Sequence, residues 1–351
     1  LKKRRFLAKN AATPIQLRFR SRVLFPIVAR LYKRKPSNEH FWSFALTVRL
    51  KIGTRGSPLA LAQAHETRRR LASHFNAPED EFEIVIIKVM GDQILDRALS
   101  EAGGKGLFTR ELDQAQLDGE IDIAVHSAKD LPTVLPDGVI VAGYLPREDV
   151  RDAFIGGAAP TLAELPEGAR VGSASLRRQA MIRRLRPDLQ VDLLRGNVQT
   201  RLKKVESGEF AATLLALAGL RRLGLADKVT SILSLEDFPP ACGQGAIAIT
   251  ARPQDHALLA DLAGICHAPT GFALAAERAF LHVLDGSCRT PIAGHATISG
   301  DQLNFYGLVL RKDGTEAYDA RSEGSVSQAA ELGEQAGRQI LAVAPSDILA
   351  V

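Results

Sequence analysis

Arginine, lysine and serine gather at four points where a short apolar run ends: Arg55 with Ser57, Ser127 with Lys129 and Asp130, Ser173 with Ser175, Arg177 and Arg178, and Arg195 with Arg201. Hydroxyls and free backbone N–H groups at helix starts bind anions, and a guanidinium adds a planar fork that meets a carboxylate with two hydrogen bonds. Together they predict a cleft for a small molecule with several carboxylates or phosphates. Each arginine taken alone reads as a solvated helix position, and Arg68, Arg69, Arg70, Arg183, Arg184 and Arg186 are assigned to that reading. The first set differs because its members share one rim of strand ends. Asp130 is the candidate acid or base: beside Lys129 its carboxylate can stay ionised and face a cationic intermediate. A loop-capping role before Leu131-Pro132 fits the same position.

Of three cysteines, Cys242 and Cys266 have apolar neighbours and read as inert. Cys288 follows Gly286-Ser287 and precedes Arg289, where exposure and a nearby cation favour the thiolate. It is either a nucleophile or attachment point, or an ordinary loop thiol. There is no C-x-x-C pair and no paired Cys/His spacing, so neither a disulfide framework nor a metal is expected. The loop Gly103-Gly104-Lys105-Gly106 lacks the Ser or Thr that follows the lysine of a phosphate-binding loop, and reads instead as a glycine-hinged lid. Serine hydrolysis finds no G-x-S-x-G, and the basic clusters lack the interleaved aromatics of a nucleic-acid surface.

These residues need strands and helices to hold them. Val48, Leu50 and Ile52 alternate as a strand, and Ser57-Pro58 starts a helix to about Phe75 with Leu61, Ala64, Leu71 and Phe75 on one face. Further units follow: a strand over 83–89 ending at Met90-Gly91-Asp92, a helix over 108–117, a buried strand over 121–126, and a charged linker at Arg147-Glu148-Asp149. Beyond it come a strand at 170–172, a helix over 175–185, strands over 191–194 and 212–217, a second linker at 239–245, and a strand over 246–250. A helix over 271–284, alternating runs at 303–310 and 317–321, and a last helix over 327–342 complete the chain. Repeated strand–helix units predict open α/β sheets with a small α+β tail domain, and in such sheets ligands bind beyond the strands' carboxyl ends.

Charge is distributed unevenly over the 351 residues. The formal net charge of +5 arises from residues 1–46, which hold twelve Lys and Arg against the single acid Glu39, or +11. The other 305 residues carry 33 basic and 39 acidic side chains, or −6, so the body is acidic and a nucleic-acid or membrane partner is not expected. No apolar run near the length of a membrane span occurs in the basic segment. It reads as an organellar transit peptide or as upstream reading frame joined to the gene, disordered and outside the chemistry in either case.

The body resembles the porphobilinogen deaminase (hydroxymethylbilane synthase) family. The resemblance runs from about Val48 to near the C-terminus, on Gly53-Thr-Arg-Gly-Ser-Pro-Leu-Ala-Leu, Gly103-Gly-Lys-Gly-Leu-Phe, His126-Ser-Ala-Lys-Asp-Leu-Pro, Gly172-Ser-Ala-Ser-Leu-Arg-Arg, Arg195-Gly-Asn-Val-Gln-Thr-Arg, Ala218-Gly-Leu-Arg-Arg-Leu-Gly, Gly243-Gln-Gly-Ala and Gly286-Ser-Cys-Arg-Thr-Pro-Ile. It implies stepwise head-to-tail condensation of four porphobilinogen molecules to hydroxymethylbilane with loss of ammonia, on a dipyrromethane cofactor bound by thioether to Cys288. It implies carboxylate-binding roles for Arg55, Arg177, Arg178, Arg195, Arg201 and Arg222, polar contacts from Ser57, Ser127, Lys129, Ser173 and Ser175, and a catalytic role for Asp130. Arg222 comes from the resemblance alone. Ala211, Cys242 and Ser173 stand where the family commonly has Asp, Val and Thr.

The expected architecture is two periplasmic-binding-protein-like α/β domains, 47–146 with 246–263 and 150–240, plus a small C-terminal α+β domain, 268–351, that anchors the cofactor. A cytoplasmic monomer is expected, or an organellar one if residues 1–46 are a transit peptide. The competing reading is a non-catalytic two-lobed anion-binding protein.

Overall fold

Two five-stranded sheets with the same strand arrangement and a third sheet of three strands organise the computed structural model, which describes residues 50–93, 106–285 and 290–349. The basic N-terminal segment, Gly103, Gly104, Lys105 and Cys288 lie outside the described residues. All the described residues belong to the unit His40–Val351.

The first lobe contains β1 (Leu50–Arg55), α1 (Pro58–Phe75), β2 (Phe82–Ile87), α2 (Met90–Gln93), α3 (Arg110–Leu117), β3 (Ile123–Ser127) and β4 (Ile140–Tyr144). The chain crosses to a second lobe of β5 (Asp152–Gly156), β6 (Arg170–Gly172), α4 (Leu176–Leu185), β7 (Gln190–Asp192), α5 (Val198–Glu206), β8 (Ala212–Ala216), α6 (Leu217–Arg222) and β9 (Ser231–Ile232). It then crosses back into β10 (Ile247–Ala251) of the first lobe. The first lobe continues through α7 (His256–Ala263), whose Leu259 and Leu262 lie in its core with Ile52, Ile123 and Ile249, and the tail comprises α8 (Ala268–Val283), β11 (Ile292–Ser299), β12 (Gln302–Leu310), β13 (Ala317–Ser325) and α9 (Ala329–Val343).

Strand order is β2-β1-β3-β10-β4 in one lobe and β7-β6-β8-β5-β9 in the other. In each, three parallel strands are followed by one antiparallel strand, β10 or β5, which is the strand that enters immediately after a crossing. The two crossings therefore run between the lobes, next to the carboxyl ends of β3 and β8. The antiparallel sheet β11-β12-β13 packs against both lobes: Ala293, Leu308 and Leu310 join the core around Phe154 and Val171, while Phe280 and Phe305 share a core with Ala128 and Tyr144.

Local chemistry accounts for the helix starts. Ser57 caps α1 by accepting from the Ala60 N–H at 3.4 Å, and Ser175 caps α4 by accepting from the Arg178 N–H at 3.4 Å. The helix expected over 271–284 starts earlier, at Ala268, because His267 caps it with Nδ1 3.3 Å from the Thr270 N–H, a capping residue that composition does not advertise. The buried face of α1 is Ala60, Gln63, Ala64, Thr67, Leu71 and Ala72; of the expected face, Ala64 and Leu71 are buried, whereas Leu61 is only half-buried and Phe75 is 41% exposed. Where the expected strand ends, Met90 begins the short helix α2. β4, β5, β9, β11 and α7 carry weak local signals: β5 opens on Asp152 after a charged run, β9 has two residues, and Gly294-His295 interrupts the alternation of β11.

Candidate active site in the interlobe cleft

The carboxyl ends of β1 and β3 bring Arg55 and Asp130 together. Arg55 reaches Asp130 Oδ2 at 3.9 Å, and its guanidinium lies 4.5 Å from the centre of the Phe108 ring. A narrow cavity here is lined by Arg55, Gln63, Phe108, His126, Ser127 and Asp130. Ser127 shares hydrogen bonds with the Gln63 amide at 2.9 and 3.2 Å, so this hydroxyl is oriented by α1. Burial, with help from Arg55, pushes His126 down to about 3, which keeps the imidazole neutral 3.2 Å from the Thr250 hydroxyl.

The second lobe contributes cations. Arg201 on α5 donates through Nε to the Gly196 carbonyl at 2.9 Å, and no carboxylate among the described residues pairs with it. Burial, Arg178 and Arg195 lower its pKa to about 10, with Asp130 opposing from across the cleft. Lys129 donates to Gln244 Oε1 at 3.2 Å and likewise has no carboxylate at ion-pair distance. Burial and Arg178 lower it to about 8, against the opposing pull of Asp130 and Asp152. Lys129 and Arg201 thus both lie in the fields of Arg178 and Asp130, and Arg201 also in that of Arg195.

Arg177 and Arg178 are placed differently from the open rim expected of them. Both guanidinium groups rest on Asp152, at 2.6 and 2.7 Å, and they are only 3% and 5% exposed. Arg177 also donates to the Pro239 carbonyl and Arg178 to that of Leu214. Burial works against the Asp152 carboxylate, yet the two arginines outweigh it and hold its pKa well below the usual range. Arg178 keeps its influence on the cleft, since both Lys129 and Arg201 feel it. Ser173 is buried and accepts from the Ser175 N–H at 3.2 Å, so these hydroxyls shape the turn into α4. Arg222 is not brought into the cluster: its Nε meets Glu66 of α1 at 3.1 Å, tying the lobes together. Gly106, the one lid glycine described, has φ +86° and accepts from the Thr109 and Arg110 N–H groups at the start of α3.

Several participants escaped the sequence reading. Asp152, Gln244, Arg147 and Glu277 acquire their roles only through distant partners. Arg147 in the first crossing forms a two-pronged pair with Glu277 of α8 at 2.6 and 3.0 Å, and Glu277 also accepts from the Gly243 N–H in the second crossing and from that of Ala296. Cys242 is held above its ordinary pKa by burial, and Cys266 is pushed up to about 12 by the same cause, in keeping with inert thiols.

The donor set fits a polycarboxylate ligand. Cations from both lobes converge where anions are scarce, and Lys129 and Arg201 show lowered pKa values that a bound carboxylate would reverse. Fold and site therefore define a two-lobed α/β protein whose described residues gather cations from both lobes around the Asp130 carboxylate.

The family model "Porphobilinogen deaminase, dipyromethane cofactor binding domain" matches residues 50–260, and "Porphobilinogen deaminase, C-terminal domain" matches residues 272–342. A porphobilinogen deaminase of Nitrobacter winogradskyi is 56% identical over 289 residues, covering 82% of this chain and 92% of the relative. The chain belongs to the porphobilinogen deaminase family. It is a transferase of tetrapyrrole biosynthesis that condenses porphobilinogen and carries a dipyrromethane cofactor. Among solved structures, an Enterococcus faecalis YaeC-family lipoprotein (12% identity, TM-score 0.35, covering 61% of this chain and 90% of its own) overlaps the fold loosely. So does a Salmonella typhimurium periplasmic binding protein of high arginine specificity (13%, TM-score 0.33, covering 61% and 91%).

Proposed function

We propose that Asp130 is the catalytic carboxylate of this transferase, that Cys288 carries the dipyrromethane by thioether, and that Arg55, Lys129, Arg178, Arg195 and Arg201 hold the acetate and propionate groups of the pyrrole rings. Arg177 acts beneath them through Asp152, Ser57, Ser127, Ser173 and Ser175 supply hydroxyls and turn geometry, and Arg222 joins only when its pair with Glu66 opens. The dipyrromethane, when bound, supplies the free pyrrole α-carbon to which porphobilinogen units are added. Each ring brings two carboxylates, so cations on both lobes are needed to hold a lengthening chain. As ammonia leaves porphobilinogen, positive charge builds on its pyrrole nitrogen. The Asp130 carboxylate, steadied by Arg55, accepts a hydrogen bond from that N–H, offsets the charge and then helps move the proton.

The observation that carries this reading is the placement of Asp130 between Arg55 of its own lobe and the field of Arg201 from the other. Asp130→Asn is expected to keep its circular dichroism and its cofactor mass while turnover falls by about 10²- to 10⁴-fold. Intact-mass spectrometry of Cys288→Ala is expected to lack the adduct of two pyrrole units seen in the parent protein. Turnover retained in the first variant, or the adduct retained in the second, would refute the corresponding role.

A further inference from the structure

We propose that Gln244 is a positioning residue of the cleft: its side-chain amide couples the two chain crossings to the cations that meet the substrate, holding Lys129 of one lobe and the Asp152 carboxylate of the other. The proposal rests on the reading of Lys129 as a substrate-binding cation.

The hydrogen bonds of Gln244 define its orientation chemically. The side chain is 1% exposed. Its Nε2 donates to the Val150 carbonyl at 2.8 Å and to Asp152 Oδ1 at 2.9 Å, which uses both amide protons. Oε1 is therefore the atom that accepts from Lys129 Nζ at 3.2 Å. A flipped amide would turn its NH₂ toward an ammonium and its oxygen toward a carboxylate and a carbonyl, losing all three interactions. The backbone around it is equally committed. The Gln244 carbonyl accepts from Arg147 Nε at 2.9 Å, its N–H donates to the Ala241 carbonyl at 3.0 Å, and the preceding Gly243 N–H donates to Glu277 Oε2 at 2.6 Å. Gly243 has φ +76°, and a Cβ there would sit 2.9 Å from the backbone nitrogen of Lys129, so only glycine lets this segment lie against the Ala128–Lys129 backbone.

One amide thus joins four places: the first crossing at Val150, the second crossing on which it lies, Lys129 beyond β3, and the carboxylate that seats Arg177 and Arg178. Any shift of one lobe against the other must move Gln244 relative to at least one of these partners. The charged groups that act on Lys129 are Arg177 and Arg178 from α4, Asp152 from β5 and its own neighbour Asp130; Gln244 is its neutral partner. A substitution at Gln244 should therefore register on the proton affinity of Lys129, and its sign should follow the chemistry of the replacement.

The test uses the full-length holoenzyme with ¹³C-labelled lysine side chains followed by NMR titration, the Lys129 signal being assigned with Lys129→Met. Gln244→Met keeps the volume but removes the acceptor, so the Lys129 midpoint is expected to fall below that of the wild type. Gln244→Glu adds an anion beside the ammonium, so the midpoint is expected to rise by about one pH unit or more. The alkaline limb of kcat/KM for porphobilinogen should move in the same opposed directions, and KM should rise about tenfold in the Met variant with a smaller change in kcat. A role confined to stability would weaken both variants without splitting their titrations. Midpoints that stay at the wild-type value, or move the same way in both variants, would overturn the proposal. If the midpoints split as expected while Lys129→Met leaves KM unchanged, the coupling stands and the substrate-binding reading of Lys129 is what fails.

Discussion

The crossings and the cleft both hold buried or half-buried cations within a few residues of each other, yet they treat them in opposite ways. At the crossings, Arg147 is matched by a two-pronged carboxylate, Glu277, which is 0% exposed and has its remaining capacity filled by two backbone N–H groups. In the cleft, Arg201 has a backbone carbonyl and Lys129 a neutral amide. A satisfied pair specifies geometry, because its partners leave no vacancy for anything else. An under-matched cation stores attraction for a ligand and costs stability until the ligand arrives. Arg177 and Arg178 lie on the boundary: seated on Asp152 like structural residues, they still depress the proton affinity of Lys129 like functional ones.

The sharpest way to break this comparison is to unmatch the crossings. Arg147→Met would leave the Glu277 carboxylate buried and unpaired, a loss expected to cost about 3 to 5 kcal/mol. Scanning calorimetry should show a drop in Tm of about ten degrees. A drop of only a degree or two would mean that Glu277 is adequately held by Gly243 and Ala296 alone, and that the matched charges do not set the crossings apart from the cleft.

Removing an under-matched cation should do the reverse. Arg201→Leu deletes a charge whose one hydrogen bond among the described residues is to Gly196, so Tm is expected to hold or rise slightly, whereas KM for porphobilinogen should rise about ten- to a hundredfold, the scale of a hydrogen bond to a charged group. Steady-state kinetics and calorimetry on the same preparation separate the two effects. Equal damage to stability and KM would place Arg201 with Arg147 rather than opposite it.

What the sequence disclosed and what it hid follow the same division. The anion-binding signals lie within a few residues of one another, as in Ser127-Ala128-Lys129-Asp130 or Ser175-Leu176-Arg177-Arg178, and local spacing is enough to register them. Likewise Ser57-Pro58 marks the start of α1 because a cap is a local interaction. The matching partners are distant: Asp152 serves arginines 25 and 26 positions away, Gln244 reaches Lys129 across 115, Glu277 meets Arg147 across 130, and Glu66 holds Arg222 across 156. No pattern along the chain tells a committed arginine from an available one. The expected face of α1 held at Ala64 and Leu71 and failed at Leu61 and Phe75 for a related reason: apolar character there suggested a core, but the sheet it packs on accepts the smaller Ala60 and the polar Gln63 and Thr67.

The smallest expected effect is the most specific to an under-matched site. Lys129 has a folded-state pKa lowered to about 8 from a model-peptide value of 10.5, with burial and Arg178 as the leading causes. Below about pH 8 it is charged in both folded and unfolded states, and the folded state bears the cost of that charge. Between the two pKa values the unfolded chain binds more protons than the folded one, so this group makes stability rise with pH across that window. Lys129→Met should therefore stabilise the ligand-free protein near pH 7, by about 1 kcal/mol after allowance for solvent screening at a half-buried site. The gain over wild type should shrink as pH rises through 8 and be gone near 10.5. Urea melts of both proteins at stepwise pH values test the sign directly. A Met variant less stable than wild type at pH 7, or a difference that grows with pH, would show that Gln244, Asp130 and Asp152 match Lys129 fully, and the contrast between crossings and cleft would not extend to it.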